Sequence, residues 1–89
     1  AREQELTIGR DAQCDIVIDD PRVSRFHATL EWHRDVVVLR DHSTNGSFVR
    51  TADATRAQFV RREVLPIRGI GELNFGAAAA DCSVKYCFE

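Results

Sequence analysis

Arg10 follows Gly9 at the end of a short apolar run, so a pliant backbone can aim a planar five-donor cation at an anion and grip it through paired N–H bonds. Ser24 and Arg25 offer a hydroxyl and a second cation. Thr44 and Asn45 add another hydroxyl and an amide that can donate to and accept from a peptide backbone at once. Together these residues describe an anion pocket beside a peptide-binding edge. Each also has a plainer role. An arginine after a glycine in a turn is commonly just solvated. Asn45-Gly46 is a turn signal, because both residues tolerate positive φ, and Ser24 can open a strand by bonding nearby backbone. His27 falls on the polar side of its run and reads as a hydrogen-bonded structural histidine rather than a catalyst. Arg61-Arg62 reads as a solvated strand face.

The elements that must position these residues repeat with period two. Phe26, Ala28, Leu30 and Trp32 alternate with His27, Thr29, Glu31 and His33, the pattern of a strand with one face buried. Shorter runs of the same kind are Leu6 to Ile8, Asp15 to Ile18, Val36 to Leu39, Ser47 to Val49, Phe59 to Val60, Glu63 to Ile67, Glu72 to Phe75 and Cys82 to Phe88. In the last, Cys82 and Cys87 are expected on opposite faces. Turn signals separate the runs, among them Gly9-Arg10-Asp11, Asp19-Asp20-Pro21, Arg34-Asp35, Ser43-Thr44-Asn45-Gly46 and Arg68-Gly69. Nine or so short strands at close spacing predict an all-β sandwich or barrel. Ala77 to Ala80 is too short for a stable helix and reads as a hairpin connection.

Length and charge bound the possibilities. The 89 residues suffice for one small domain with one modest core, not for a two-domain enzyme. With 12 basic against 14 acidic residues the net charge is −2, which excludes a nonspecific nucleic-acid or anionic-membrane binder, so any anion must be met locally. No apolar run approaches the ~20 residues of a membrane span, and no signal-peptide pattern opens the chain. Cys14, Cys82 and Cys87 are an odd number without a C-x-x-C spacing, which indicates neither a disulfide framework nor a zinc site and fits a reducing cytoplasm. A start at Ala1 that runs directly into structured sequence suggests residues 1–89 are a single domain cut from a longer protein. Ser24, His27 and one of Asp19, Asp20 or Asp41 could be drawn as a catalytic triad, but no nucleophile-elbow pattern accompanies the serine, and a serine and histidine three apart on a strand point to opposite faces. A metal site from His27, His33, His42 and a cysteine is equally poor, and no cofactor is indicated.

In combination and order, Gly9-Arg10, Ser24-Arg25-Phe26-His27 and Ser43-Thr44-Asn45-Gly46 resemble the forkhead-associated (FHA) domain. Asp15 to Asp20 leading to Val23-Ser24, and Gly46-Ser47-Phe48-Val49, resemble the flanks of that family, and the likeness runs from about residue 5 to 88. It implies a β sandwich of about 11 strands in two twisted sheets, with binding loops at one end that take phosphothreonine peptides in signalling. By similarity Arg10 and Ser24 bond the phosphate, Arg25 adds charge, Thr44 contacts the phosphate or the phosphothreonine, and Asn45 holds the peptide main chain. Gly9, His27 and Gly46 support the site. The implied partner is a phosphothreonine-containing protein, a serine/threonine kinase substrate or a segment of the parent polypeptide. Phe59 to Glu63 with Leu65 to Gly69 resembles FHA domains of bacterial nucleotide-cyclase or other multidomain signalling proteins, and the 11 arginines against one lysine fit a GC-rich bacterial gene. The sequence departs from the family after Phe48-Val49, where Arg50-Thr51-Ala52-Asp53 replaces the usual Asn-Gly hairpin. The rival reading is a domain of the same fold that docks an unphosphorylated partner or its own flanking domain without phosphate.

Overall fold

The strongest alternation in the chain builds the central hairpin. Strand β3 (Ala28–His33) pairs antiparallel with β4 (Val36–Asp41), with Leu30 opposite Leu39 and Trp32 opposite Val37, so both strands turn their apolar parity to the same side. The computed structural model describes residues 5–34, 36–52, 55–76 and 83–88. β1 (Glu5–Gly9) lies antiparallel on the other side of β3, and the two-residue β2 (Ile16–Val17) runs parallel to β1. The remaining strands are β5 (Ser47–Thr51), β6 (Gln58–Val60), β7 (Val64–Ile67), β8 (Gly69–Phe75) and β9 (Ser83–Phe88). They complete a five-stranded sheet in the order β2-β1-β3-β4-β7 and a four-stranded sheet in the order β6-β5-β8-β9. Pro66 sits on the edge strand β7, where its missing N–H costs no ladder bond.

The inner faces of the two sheets meet in one core. Ile8, Leu30, Leu39 and Ile67 of the first pack against Val49, Val60, Leu73, Phe75 and Tyr86 of the second. The chain is therefore all-β and two-layered. The nine alternating runs of the sequence correspond one for one to the nine strands among the described residues. The two further strands of the expected 11 do not occur among them, because every alternating run is already used.

Two expectations are corrected. The run from Phe26 does not begin as a strand. Residues 25–26 form a turn, β3 starts at Ala28, Phe26 is half exposed, and His27 is fully buried rather than on a polar face. Arg61 and Arg62 are exposed, as expected, but do not lie on a strand face. They follow β6, and the positive φ of Arg62 (55°) breaks the alternation that would send neighbouring side chains apart. Cys82 and Ala77 to Ala80 lie outside the described residues.

At one end of the sandwich the ladder between β1 and β3 continues past the strands into their loops. His27 N–H donates to Ile8 O (2.8 Å), Arg10 N–H to Ser24 O (3.0 Å) and Asp11 N–H to Arg25 O (3.1 Å). These bonds zip the 10–15 and 18–27 loops together. They bring Arg10 beside Ser24, although 13 residues of chain separate them.

Candidate functional site

Two glycines make this end possible. A Cβ on Gly9 would collide with the Arg25 carbonyl oxygen, so only glycine lets the two loops lie this close. Gly46 has φ 88°, and a Cβ there would meet the ring of Phe59. Cys14 is buried beneath Gly9, and its Sγ–H donates to the Arg25 carbonyl (3.3 Å). Burial, aided by the nearby Asp11 charge, pushes its thiol pKa up and keeps that donor protonated.

Beneath the loops lies a buried polar hub. Asp41 is 2% exposed, and its Oδ1 accepts from Ser43 N–H (2.8 Å), Ser43 Oγ–H (2.7 Å) and Arg62 N–H (3.0 Å), while Oδ2 accepts from Ser47 Oγ–H. Burial alone would raise the carboxyl pKa. The hydrogen bonds from Ser47, Arg62 and Ser43 outweigh it and hold the group below its ordinary value, so the carboxylate is charged. His27 stands 3.8 Å from Asp41 Oδ2 and edge-on to Phe75, with ring centroids 5.4 Å apart. Its neighbours fix its tautomer. Nδ1 can only accept from the Ser24 N–H (3.0 Å), and Nε2–H can only donate to the Gly46 carbonyl (2.8 Å). Burial lowers its pKa despite the Gly46 carbonyl and the Asp41 charge, so the imidazole is neutral at pH 7. Both ring nitrogens are engaged by backbone, and Ser24 Oγ–H finds no base there.

His27 thus ties the 24 loop to the 46 loop, and three further bonds close the cluster. Thr44 N–H donates to Ser24 Oγ (3.1 Å), Asn45 Nδ2–H to Arg22 O (2.9 Å) and Gly76 N–H to Gly46 O (2.9 Å). Arg22 is itself fixed by Asp20, whose Oδ1 accepts its Nε–H (2.9 Å) and whose Oδ2 pairs with its Nη2 (2.7 Å). The consecutive arginines grip consecutive carbonyls, with Arg61 Nε–H on Thr44 O (2.8 Å) and Arg62 Nε–H on Ser43 O (3.0 Å).

Arg10, Ser24, Thr44 and Asn45 therefore share one hydrogen-bonded surface, with Arg25 on the same loop. Arg10 is exposed and anchored by Nε–H to Val23 O (2.9 Å), which leaves its terminal amino groups without a carboxylate partner among the described residues. Ser24 Oγ accepts from Thr44, and its own proton has no acceptor among the described residues, so it can donate to a ligand. The arrangement offers fixed, outward N–H and O–H donors over a backbone floor, which is the chemistry of anion capture.

Sequence reasoning did not find the supporting role of Asp41, Ser43, Ser47, Arg61 and Arg62 around this surface. One signal was available for Asp41. It shares parity with Val37 and Leu39, and an acid on the core side of a strand must be met by donors.

A two-layer β sandwich with an anion-ready loop cluster at one end is a recognition domain built on loops. The profile of the FHA domain family matches residues 6–66, most of the chain, and the chain belongs to that family. Over 49 residues it is 43% identical to the serine/threonine-protein kinase cds1 of Schizosaccharomyces pombe, a match covering 46% of this chain and 11% of the kinase. The N-terminal FHA domain of S. cerevisiae Rad53p, solved in complex with a phosphothreonine peptide, has a TM-score of 0.73 at 22% identity over 93% of this chain and 64% of that one. Mycobacterium tuberculosis EmbR, solved with a low-affinity phosphopeptide, has a TM-score of 0.74 at 23% identity over 96% of this chain and 20% of that one. The chain spans about a tenth of the curated kinase it matches and less than two thirds of the Rad53p structure. The structural likenesses establish a common fold.

Proposed function

We propose that the loop end binds phosphothreonine in a partner protein and that the domain acts as a non-catalytic phosphopeptide reader. The observation that carries this reading is the Arg10–Ser24–Thr44 arrangement, a cation and a hydroxyl held outward by bonds that leave their remaining donors unused. A phosphothreonine carries about −1.5 to −2 charge and three strong acceptors. Arg10 and Ser24 bond the phosphate, Arg25 adds charge, and Thr44 closes over the phosphate or the threonine. Asn45 meets the peptide main chain through its side-chain oxygen, which makes no hydrogen bond among the described residues. Gly9, His27 and Gly46 set the loops. Family membership and the phosphopeptide-bound relatives support the same reading. A kinase substrate in the cytoplasm, or a phosphosite in the parent polypeptide raised in effective concentration by tethering, would supply the ligand.

The test is binding to a degenerate phosphothreonine peptide library, with unphosphorylated and phosphoserine versions alongside. Binding that requires phosphothreonine and weakens with Arg10→Ala is the expected result. Binding indifferent to phosphate and to Arg10 would replace this reading with phosphate-independent docking.

A further inference from the structure

Arg25 apart, the described arginines fall into three groups. Arg22, Arg40 and Arg50 pair with the carboxylates of Asp20, Glu31 and Glu72. Arg10, Arg61 and Arg62 are tied to backbone carbonyls at the loop end. Arg34, Arg56 and Arg68 are exposed and make no ion pair or hydrogen bond among the described residues. These last three stand around one apolar surface.

β3 leaves the loop end at Ala28 and β4 returns to it at Asp41, so the connection between them, which carries Arg34, lies at the far end of the sandwich. There Arg34 and Arg68 rim a cleft of about 450 Å³ floored by Trp32, Val37, Ile67 and Phe88. Ile67 and Arg68 also line a second cleft, of about 300 Å³, together with Val49, Leu65 and Arg56. The two clefts therefore form one apolar trough between the sheets, with cations along its rim and no Asp or Glu among its described lining residues. Gly69, at φ 71°, turns the chain from β7 into β8, and a Cβ on it would meet nothing within 4 Å, so the trough is open beside Arg68. Arg34 holds φ 58°, a conformation that favours glycine or asparagine over a long side chain. Strained backbone of this kind is concentrated at sites that hold ligands.

We infer that this trough is a second docking surface, which takes an acidic segment of a partner protein. The segment inserts an aromatic or large aliphatic side chain beside Trp32 and Phe88 and sets its carboxylates on Arg34, Arg68 and Arg56. The larger cleft has the volume of a site that encloses such an anchor. Charge decides the rest: unpaired guanidinium groups around an apolar floor attract carboxylates, grip them through paired N–H bonds and turn basic segments away. The inference does not depend on the phosphothreonine reading. Because loop end and trough lie at opposite ends, one domain can hold a phosphopeptide and the acidic segment together.

Two residues report occupancy locally. Trp32 is the only tryptophan of the chain, and Cys87 lies exposed in the wall of the larger cleft. The experiment titrates the intact chain with a short unphosphorylated peptide of glutamates around a central phenylalanine, following Trp32 fluorescence and the rate of Cys87 alkylation. The expected result is a saturable fluorescence change with slowed alkylation of Cys87. Arg34→Gln and Arg68→Gln should each weaken binding roughly three- to fivefold, the scale of an exposed ion pair, and the double variant on the order of tenfold. Glycine in place of the peptide's phenylalanine should weaken it at least roughly tenfold. Neither arginine variant should alter binding of a phosphothreonine peptide. Absence of both signals, or affinity indifferent to the two arginines, would overturn the inference. Equal binding of the glycine peptide would reduce the surface to unspecific charge attraction and overturn it as well, and a response to phosphatidylserine vesicles without one to the peptide would assign the trough to a membrane instead.

Discussion

The two ends of the sandwich use the same residue type in opposite ways. At the loop end Arg10, Arg61 and Arg62 each donate Nε–H to a backbone carbonyl, so the guanidinium is fixed before any ligand arrives. At the other end Arg34 and Arg68 rim a cleft of about 450 Å³ between the sheets, lined by Trp32, Val37, Ile67 and Phe88, and neither side chain is hydrogen-bonded among the described residues. The difference lies in what is underneath. A buried charge with four donors supports the loop end, whereas an edge-on Trp32–Phe88 pair with centroids 5.7 Å apart supports the other. A polar foundation supplies directed carbonyls to which cations can be tied, and an apolar one supplies none. Depth also differs between charged clusters. On the outer face of the five-stranded sheet, hydrogen bonds from Arg40 and then His33 pull the Glu31 carboxyl down to about 2, but that cluster lies in solvent and organises no loop.

The contrast predicts its own breaking points. Asp41→Asn puts an amide where Ser43, Ser47 and Arg62 all donate, and should cost about 3 kcal/mol of folding stability by denaturant titration. A loss below about 1 kcal/mol would mean that the polar foundation is not what holds the loops. Arg10→Ala removes a charge-assisted contact and should weaken phosphothreonine-peptide binding by about 1.5 to 3 kcal/mol in calorimetry, while shifting the unfolding midpoint little. A variant that unfolds in step with its loss of binding would make Arg10 a structural residue.

Acid should act on the loop end first. Because burial lowers the pKa of His27 in the fold, the unfolded chain takes up that proton before the folded one does. The stability conferred by the neutral ring is complete above about pH 6.5 and is lost as pH falls below it, towards the lower folded-state value. Asp41, also held low, adds its loss only below about pH 4. Thermal midpoints measured from pH 8 to 5 should therefore decline from near pH 6.5, and a flat profile would contradict the neutral tautomer. The smallest effect belongs to the other end. Arg68→Ala should leave stability within about 0.5 kcal/mol and phosphopeptide affinity unchanged, and a loss comparable to that of Arg10→Ala would erase the distinction between the two ends.

Much of this molecule could be read from its residues in order. Period-two alternation located the nine strands, because a side chain's face on a strand depends only on its parity. Gly9-Arg10, Ser24 and Thr44-Asn45 stood out because their chemistry lies in short-range groups next to turn signals. The alternation misjudged His27, since parity fails once the chain leaves the strand: the turn at residues 25–26 inverted its face and buried it. It misjudged Arg61-Arg62 for a related reason, the left-handed backbone at Arg62.

What tertiary structure alone decided is which distant groups meet. Asp41 collects Ser43, Ser47 and Arg62, and Thr44 is held between Ser24 and Arg61, contacts that span up to 21 residues. No local pattern encodes such pairings. They follow from the register of two sheets and from the requirement that a charge removed from water be met by donors, wherever in the chain those donors lie.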